Sequence, residues 1–177
     1  DHRTRDLTVH MLEEGREPVR RMLDAAYIFE ELTDFCLNLT PIAGPFEVGN
    51  IRITPHLTTH LAKLREHFSG KHPAKFEAFS FLLETDEATV AHSADIGALE
   101  DLEPLLQKPV DLLVCELAHV KPDELFAFLS EKEIGRVAFT HVSRPYRENL
   151  DEITAQAKAT LGGMPHTFLM DGDLIEV

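Results

Sequence analysis

The 177-residue sequence holds two cysteines, Cys36 and Cys115, far apart and each in an apolar setting. Two such thiols do not make a disulfide framework; they read as buried thiols of a protein in a reducing cytoplasm. A basic stripe is missing as well. Asp and Glu number 31 against 17 Lys and Arg, a formal net charge of −14. Long nucleic acids are therefore poor first choices as partners, because affinity for a polyanion rests on clustered cations. No stretch approaches the roughly 18 consecutive apolar residues of a membrane span, and no charged-then-apolar secretory plan opens the chain. The sequence begins at Asp1-His2-Arg3 without an initiator Met, so residues upstream are expected. Internal repeats and low-complexity stretches are absent. What remains is an ordinary globular composition, 44% apolar and 27% charged, with enough chain for one substantial core. A single domain over residues 1–177 is expected, with a small-molecule substrate as partner and a homodimer as a possible assembly.

Periodicity orders the chain. Leu7-Thr8-Val9-His10-Met11 reads as a short strand, and Gly15 and Pro18 open a helix with Val19, Met22, Leu23, Ala26 and Phe29 at helical spacing. That pattern continues to about Phe35. Turn residues then bracket two short extended pieces that end in Asn50-Ile51-Arg52-Ile53-Thr54. Residues 61–77 mix charge, Gly and Pro without a period and read as a long exposed loop. From residue 78 the chain becomes regular. Ala78 to Leu83 and Ala88 to Ala91 form a hairpin, Ala98 to Gln107 a helix, and Val110 to Cys115 a strand apolar on both faces. A helix follows from Lys121-Pro122 to about Ser130, then a buried strand from Arg136 to Phe139. The next helix, Asn149 to Leu161, stops at Gly162-Gly163. Thr167 to Met170 and Leu174 to Val177 read as a closing hairpin. Strands alternating with helices, with hairpins at both ends, make an α/β class with a mixed sheet.

Four short segments carry chemistry: Thr59-His60, Ser93-Ala94-Asp95, Glu116-Leu117-Ala118-His119 and Thr140-His141. Each follows an extended run, so all can converge beyond the carboxyl ends of strands, where open α/β sheets bind ligands. Two His and one Asp suit a divalent metal, and an oxygen-bridging Asp suits a second ion. His60 competes with His56 for the ligand position after Ile53-Thr54-Pro55, and Asp95 competes with a helix-capping role before Ala98-Leu99. Glu116 reads either as a carboxylate that orients a ligand imidazole or as a solvated loop residue. His92 reads as structural, inside the hairpin. Arg144 and Tyr146 read either as contacts for an anionic group or as a helix-entry turn.

The ordered set resembles the later part of a metallo-β-lactamase-fold hydrolase, in its ribonuclease Z-like and phosphodiesterase-like branch. Ser93-Ala94-Asp95-Ile96-Gly97 is similar to that family's Ser-Gly-Asp-Thr-Gly-like loop, Cys115-Glu116 to its Glu loop and Thr140-His141-Val142-Ser143 to its last ligand loop. The match runs through about residues 46–177 in order, with a weaker one for the strand at 7–11 and the helix after it. The resemblance implies an αβ/βα sandwich of mixed sheets flanked by helices. It further implies a site in which Asp95 bridges two divalent ions, His60 and His141 ligate one each, and His119 assists the leaving group. Zinc is the ion it favours, with manganese or iron also compatible. A metal-activated water acting on a small phosphodiester or other ester is the implied reaction.

One departure is large. The family's His-x-His-x-Asp-His, which supplies most ligands, is absent from this sequence. Asp1-His2 are the only candidates for its last two residues, so the fold is expected to lack part of its N-terminal half. The alternative is a non-catalytic module of the same fold with a structural or partner-binding role. A receiver-like phosphoacceptor fails, because the strand at 110–115 ends in Cys115-Glu116 where an Asp is needed.

Overall fold

The computed structural model describes residues 3–177; Asp1 and His2, the candidate motif remnants, lie outside the described residues. Two sheets form. Strands β1 (Leu7–Met11) and β2 (Leu37–Pro41) pair in parallel as a two-stranded sheet, with helix α1 (Arg16–Ala25) between them in sequence. The second sheet has seven strands in sequence order: β3 (Phe46–Val48), β4 (Ile51–Thr58), β5 (Ala78–Glu84), β6 (Thr89–His92), β7 (Val110–Leu117), β8 (Ile134–Val142) and β9 (His166–Phe168). Its first four strands are antiparallel neighbours, and β6 through β9 are parallel. The mixed sheet expected from the hairpin and the buried runs is thus observed.

Strand direction decides which loops can meet. Because β4 opposes β5 and β5 opposes β6, strands β4, β6, β7 and β8 all run the same way and end at one rim.

The core lies on one face of the parallel half. Alternation along β7 and β8 turns Leu113, Cys115, Leu117, Val137 and Phe139 to that face, where all are fully buried. Two helices cover it. In α3 (Pro122–Ser130) the proline sits in the first turn, where no N–H is missed, beside Asp123 and Glu124, which suit the positive helix end. Its inner stripe is Leu125, Phe126 and Leu129. Helix α5 (Leu150–Leu161) contributes Ile153, Ala157 and Leu161 and is ended by Gly162 at φ 59°. Phe126 meets Phe139 edge-on at 5.3 Å, and Phe139 stacks on Phe168 at 5.0 Å.

Four sequence expectations need correction. Helix α1 stops at Ala25, about ten residues earlier than its apolar pattern, and only a 3₁₀ turn at Glu30–Leu32 follows. Ile28 N–H donates to Leu23 O and Tyr27 N–H to Asp24 O, a paired closure in which Tyr27, at φ 58°, takes the left-handed place usual for Gly. Residues 61–77 are not all loop: α2 occupies Ala62–Phe68, a helix too short to show a period. The expected helix at 98–107 shrinks to a 3₁₀ turn, Leu99–Leu102; Glu103 keeps helical backbone, but Pro104 has no N–H with which to continue the ladder. Leu102, Leu105 and Leu106 are still buried. The closing hairpin does not form. The turn at 170–173 is made, but Leu174 is 85% exposed and no strand follows β9.

Among the described residues no helix is long and apolar enough to cross a membrane. The packing makes a stability prediction: Phe126→Ala should cost about 3–5 kcal/mol, as for other buried aromatics. Urea unfolding would show this as a lower midpoint at unchanged slope, and a loss under about 1 kcal/mol would mean the α3 contact does not hold the core.

Candidate metal centre

Each sequence-predicted segment arrives at the shared rim. His60 lies two residues past β4 and Asp95 three past β6; Glu116 to His119 span the end of β7, and His141 sits near the end of β8. His141 Nδ1 is 2.9 Å from Asp95 Oδ1, and His60 Nε2 is 3.8 Å from Asp95 Oδ2. The His119 ring stands edge-on between two others, 4.6 Å from His60 and 5.4 Å from His141. Asp95, Glu116, His119 and His141 each offer a ligand atom within 4.8 Å of the others. His60 borders this group through Asp95 and His119.

The backbone explains how His141 reaches the rim. Glu116 pairs with Thr140 but Leu117 with Val142, so His141 is an extra residue in the ladder, a bulge with φ 46°. Ala94, just before Asp95, is likewise at φ 48°. Its turn is closed by Ser93 Oγ–H donating to Ala94 O at 2.7 Å and by Ala94 N–H donating to His92 Nδ1 at 3.0 Å. Left-handed backbone at non-glycine residues costs free energy, and two of the four such residues described, Ala94 and His141, lie at this cluster. Desolvation lowers the His92 pKa, against its backbone hydrogen bond and the Asp95 charge, and so keeps the neutral acceptor form.

Glu116 is not the solvated loop residue that was one of its two readings. It belongs to β7 and is 1% exposed. Its Oε1 accepts from Ile96 N–H at 2.9 Å and lies 2.8 Å from His119 Nδ1; its Oε2 accepts from Ala118 N–H at 2.8 Å and His119 N–H at 3.1 Å. With both oxygens committed, Glu116 is an orienter. An ionised carboxylate only accepts, so a neutral His119 carries its proton on Nδ1 and presents the Nε2 lone pair. The same logic gives His141 a proton toward Asp95 and a free Nε2.

Other predicted positions fall apart from the cluster. His56 lies inside β4 opposite Ser80 and lines a separate cleft with Arg52, Glu84 and Lys108, its buried Nε2 without a partner among the described residues. Arg144 opens the short helix α4 (Arg144–Glu148) and pairs with Glu148 at 2.7 Å. Asp95 caps no helix, since the next turn starts from Ala98. Sequence reading passed over Asp101, a buried carboxylate bound to Thr59 across 42 residues, a link with no local signal.

The donor set fits a divalent ion. Imidazole nitrogens from His60, His119 and His141 converge on a carboxylate, Asp95, which retains exposure on the rim.

No family profile matches the chain, and no curated protein does. Solved structures do match. The metallo-β-lactamase fold protein YhfI from Bacillus subtilis is 16% identical, with a TM-score of 0.63 over 93% of this chain and 62% of its own. Zn2+-bound PqqB from Methylobacterium extorquens is 15% identical, with a TM-score of 0.67 over 97% of this chain and 65% of its own. A diphosphatase of the PhnP family reaches a TM-score of 0.58 at 14% identity, over 98% of this chain and 59% of its own. This chain has the metallo-β-lactamase fold. It spans less than two thirds of the length of these three structures, and at such identities the likeness establishes the fold alone. Within that fold the rim cluster lies where β4, β6, β7 and β8 end, as the order of motifs predicted.

Next to Glu116, Cys115 is fully buried; desolvation first, and then the neighbouring carboxylate, push its thiol up to about 12. Cys36 is exposed. A disulfide reagent at neutral pH should therefore titrate one thiol in the folded protein and two after denaturation. Rapid reaction of both in the folded state would show that the β7 end opens to solvent.

Proposed function

We propose that this chain carries the ligand loops of a metal-dependent hydrolase that acts on a small phosphodiester or other small ester. The observation behind this reading is the convergence of His60, Asp95, His119 and His141 from four co-directional strand ends. In this reading His60, Asp95 and His141 would hold the metal, with zinc favoured over manganese or iron. A divalent ion bound there supplies Lewis acidity and an acidified water as nucleophile.

The protein's own groups do the rest. Glu116 fixes the His119 ring by its Nδ1 proton, leaving Nε2 to face the rim. Protonated at Nε2, His119 can give that proton to a departing oxygen, while Glu116 holds the ring in place by its Nδ1 side. The buried end of β7 keeps water from the far side of the Glu116–His119 pair.

The substrate class draws on charge. Residues 61–75, directly after His60, hold Lys63, Arg65, Lys71 and Lys75 against Glu66 alone, in a chain of net charge −14. A cationic segment that follows a ligand residue directly in sequence suits an anionic phosphodiester better than a neutral ester. A non-catalytic module is the second reading, favoured by the absence of His-x-His-x-Asp-His from these residues.

Elemental analysis of the chain purified without chelator tests this, alongside hydrolysis of bis(p-nitrophenyl) phosphate. One or two equivalents of zinc, manganese or iron are expected, with Asp95→Ala lowering metal affinity on the order of 10²-fold and abolishing turnover. Metal without turnover would favour the non-catalytic module, and no metal in the parent chain would remove the hydrolase reading.

A further inference from the structure

Two carboxylates are buried at this rim. Glu116 belongs to the site; Asp101, 5% exposed, does not touch it. A single oxygen of Asp101, Oδ2, accepts four hydrogen bonds: from Thr59 N–H at 2.9 Å, Thr59 Oγ–H at 2.9 Å, Gly97 N–H at 2.8 Å and Ala98 N–H at 3.3 Å. The last two are local and would by themselves be the cap of the Leu99–Leu102 turn. The two from Thr59 are not local. They come from the residue before His60, while Gly97 lies two residues past Asp95. Capping does not explain a bond that crosses 42 residues.

The two loops are also pressed together. A Cβ added at Gly97 would stand 2.5 Å from Thr59 C and Oγ1 and 2.6 Å from Thr59 O, so only Gly permits the approach. A second stitch lies alongside, where Thr58 Oγ–H donates to the Asp95 carbonyl at 3.0 Å. No direct strand pairing carries the His60 loop to Asp95, because β4 is separated from β6 by β5. The His60 loop is joined to the Asp95 loop across the top of β5 instead.

We infer that Asp101 is a positioning residue that sets His60 against Asp95, and that it governs the His60 side of the metal centre separately from the His141 side. His141 has no such clamp: β8 is tied to β6 by direct pairing through β7, apart from the bulge that turns His141 outward. The inference rests on the metal-binding reading of the rim, but the placement of His60 is measurable without metal.

The test uses the whole chain with Asp101→Asn, which keeps shape but sets an amide among four donors, and with Thr59→Val, a milder change that keeps the backbone bond should Asp101→Asn fail to fold. Ring-to-ring NMR cross-peaks are read in metal-free protein. The His60–His119 peak should weaken in both variants while the His119–His141 peak persists. Zinc affinity, measured by competition with a chromophoric chelator, should fall about 10- to 100-fold in Asp101→Asn, the range for residues that orient metal ligands. In a His60→Ala background the same change should matter within about twofold, because its route to the metal is gone. An unaltered His60–His119 peak, or an equal zinc loss with and without His60, would overturn the inference. If the parent chain binds no zinc, the metal reading fails, and the ring peaks alone decide whether Asp101 positions His60.

Discussion

A charged carboxylate taken out of water is costly unless donors replace the lost hydration, and the rim is built around one such group. Glu116 is satisfied by backbone N–H groups of Ile96, Ala118 and His119 together with the His119 ring. Ile96 follows Asp95 on the β6 loop, whereas Ala118 and His119 follow the end of β7. One side chain thus decides where Asp95 and His119 stand relative to each other. The position is demanding on its neighbours: Ser93 Oγ also accepts from Glu116 N–H at 2.9 Å, and the β7–β8 register breaks just here to let His141 turn outward. Losing the carboxylate would strip three backbone donors of their acceptor, and the fully buried Ile96 N–H alone would cost about 1–3 kcal/mol.

The two halves of the large sheet divide the labour. Strands β6 to β9 are anchored by α3 and α5 over an apolar core, so the loops carrying Asp95, His119 and His141 rest on the most deeply buried part of the molecule. Strand β4 belongs to the antiparallel half, whose residues are mostly only part-buried, and its rim loop carries His60. A metal centre drawing ligands from both halves gains from a cross-link between them, because β4 reaches β6 only by way of β5. Polar stitches from Thr58 and Thr59 perform that role, and they are short, confined to the rim and independent of the core.

Legibility in the sequence followed the range of the interactions. Val110 to Cys115 announced a strand because burial on both faces leaves a continuous apolar run, and Lys121-Pro122-Asp123-Glu124 announced α3 because a helix start is a local device. The candidate site was readable as an order of motifs at strand ends, since chain direction alone brings those ends to one rim. What escaped was non-local or exposed. Tyr27 could not be seen to close α1, because a tyrosine in a left-handed cap is decided by context and its ring is 77% exposed. Leu99, Leu102, Leu105 and Leu106 kept helical spacing without an α-helix: the core takes them up, and Pro104 has no N–H with which to extend the Leu99–Leu102 turn. Asp101 and the buried state of Glu116 were invisible for a third reason. A carboxylate's partners are backbone amides, which every residue but proline has.

Net charge also misleads at the scale of a site. Electrostatic influence between exposed charges fades over about 8 Å at physiological ionic strength, so an excess of acids spread over the whole surface acts weakly at the rim. There the groups in contact are three imidazoles and the carboxylates of Asp95 and Glu116. A bound divalent ion would be the largest charge present and would reverse the local sign altogether. The acidic total then bears on long polyanions, which must cover much surface, while a small anion meets only the rim. Acidity of the chain and an anionic substrate are compatible because they operate over different distances.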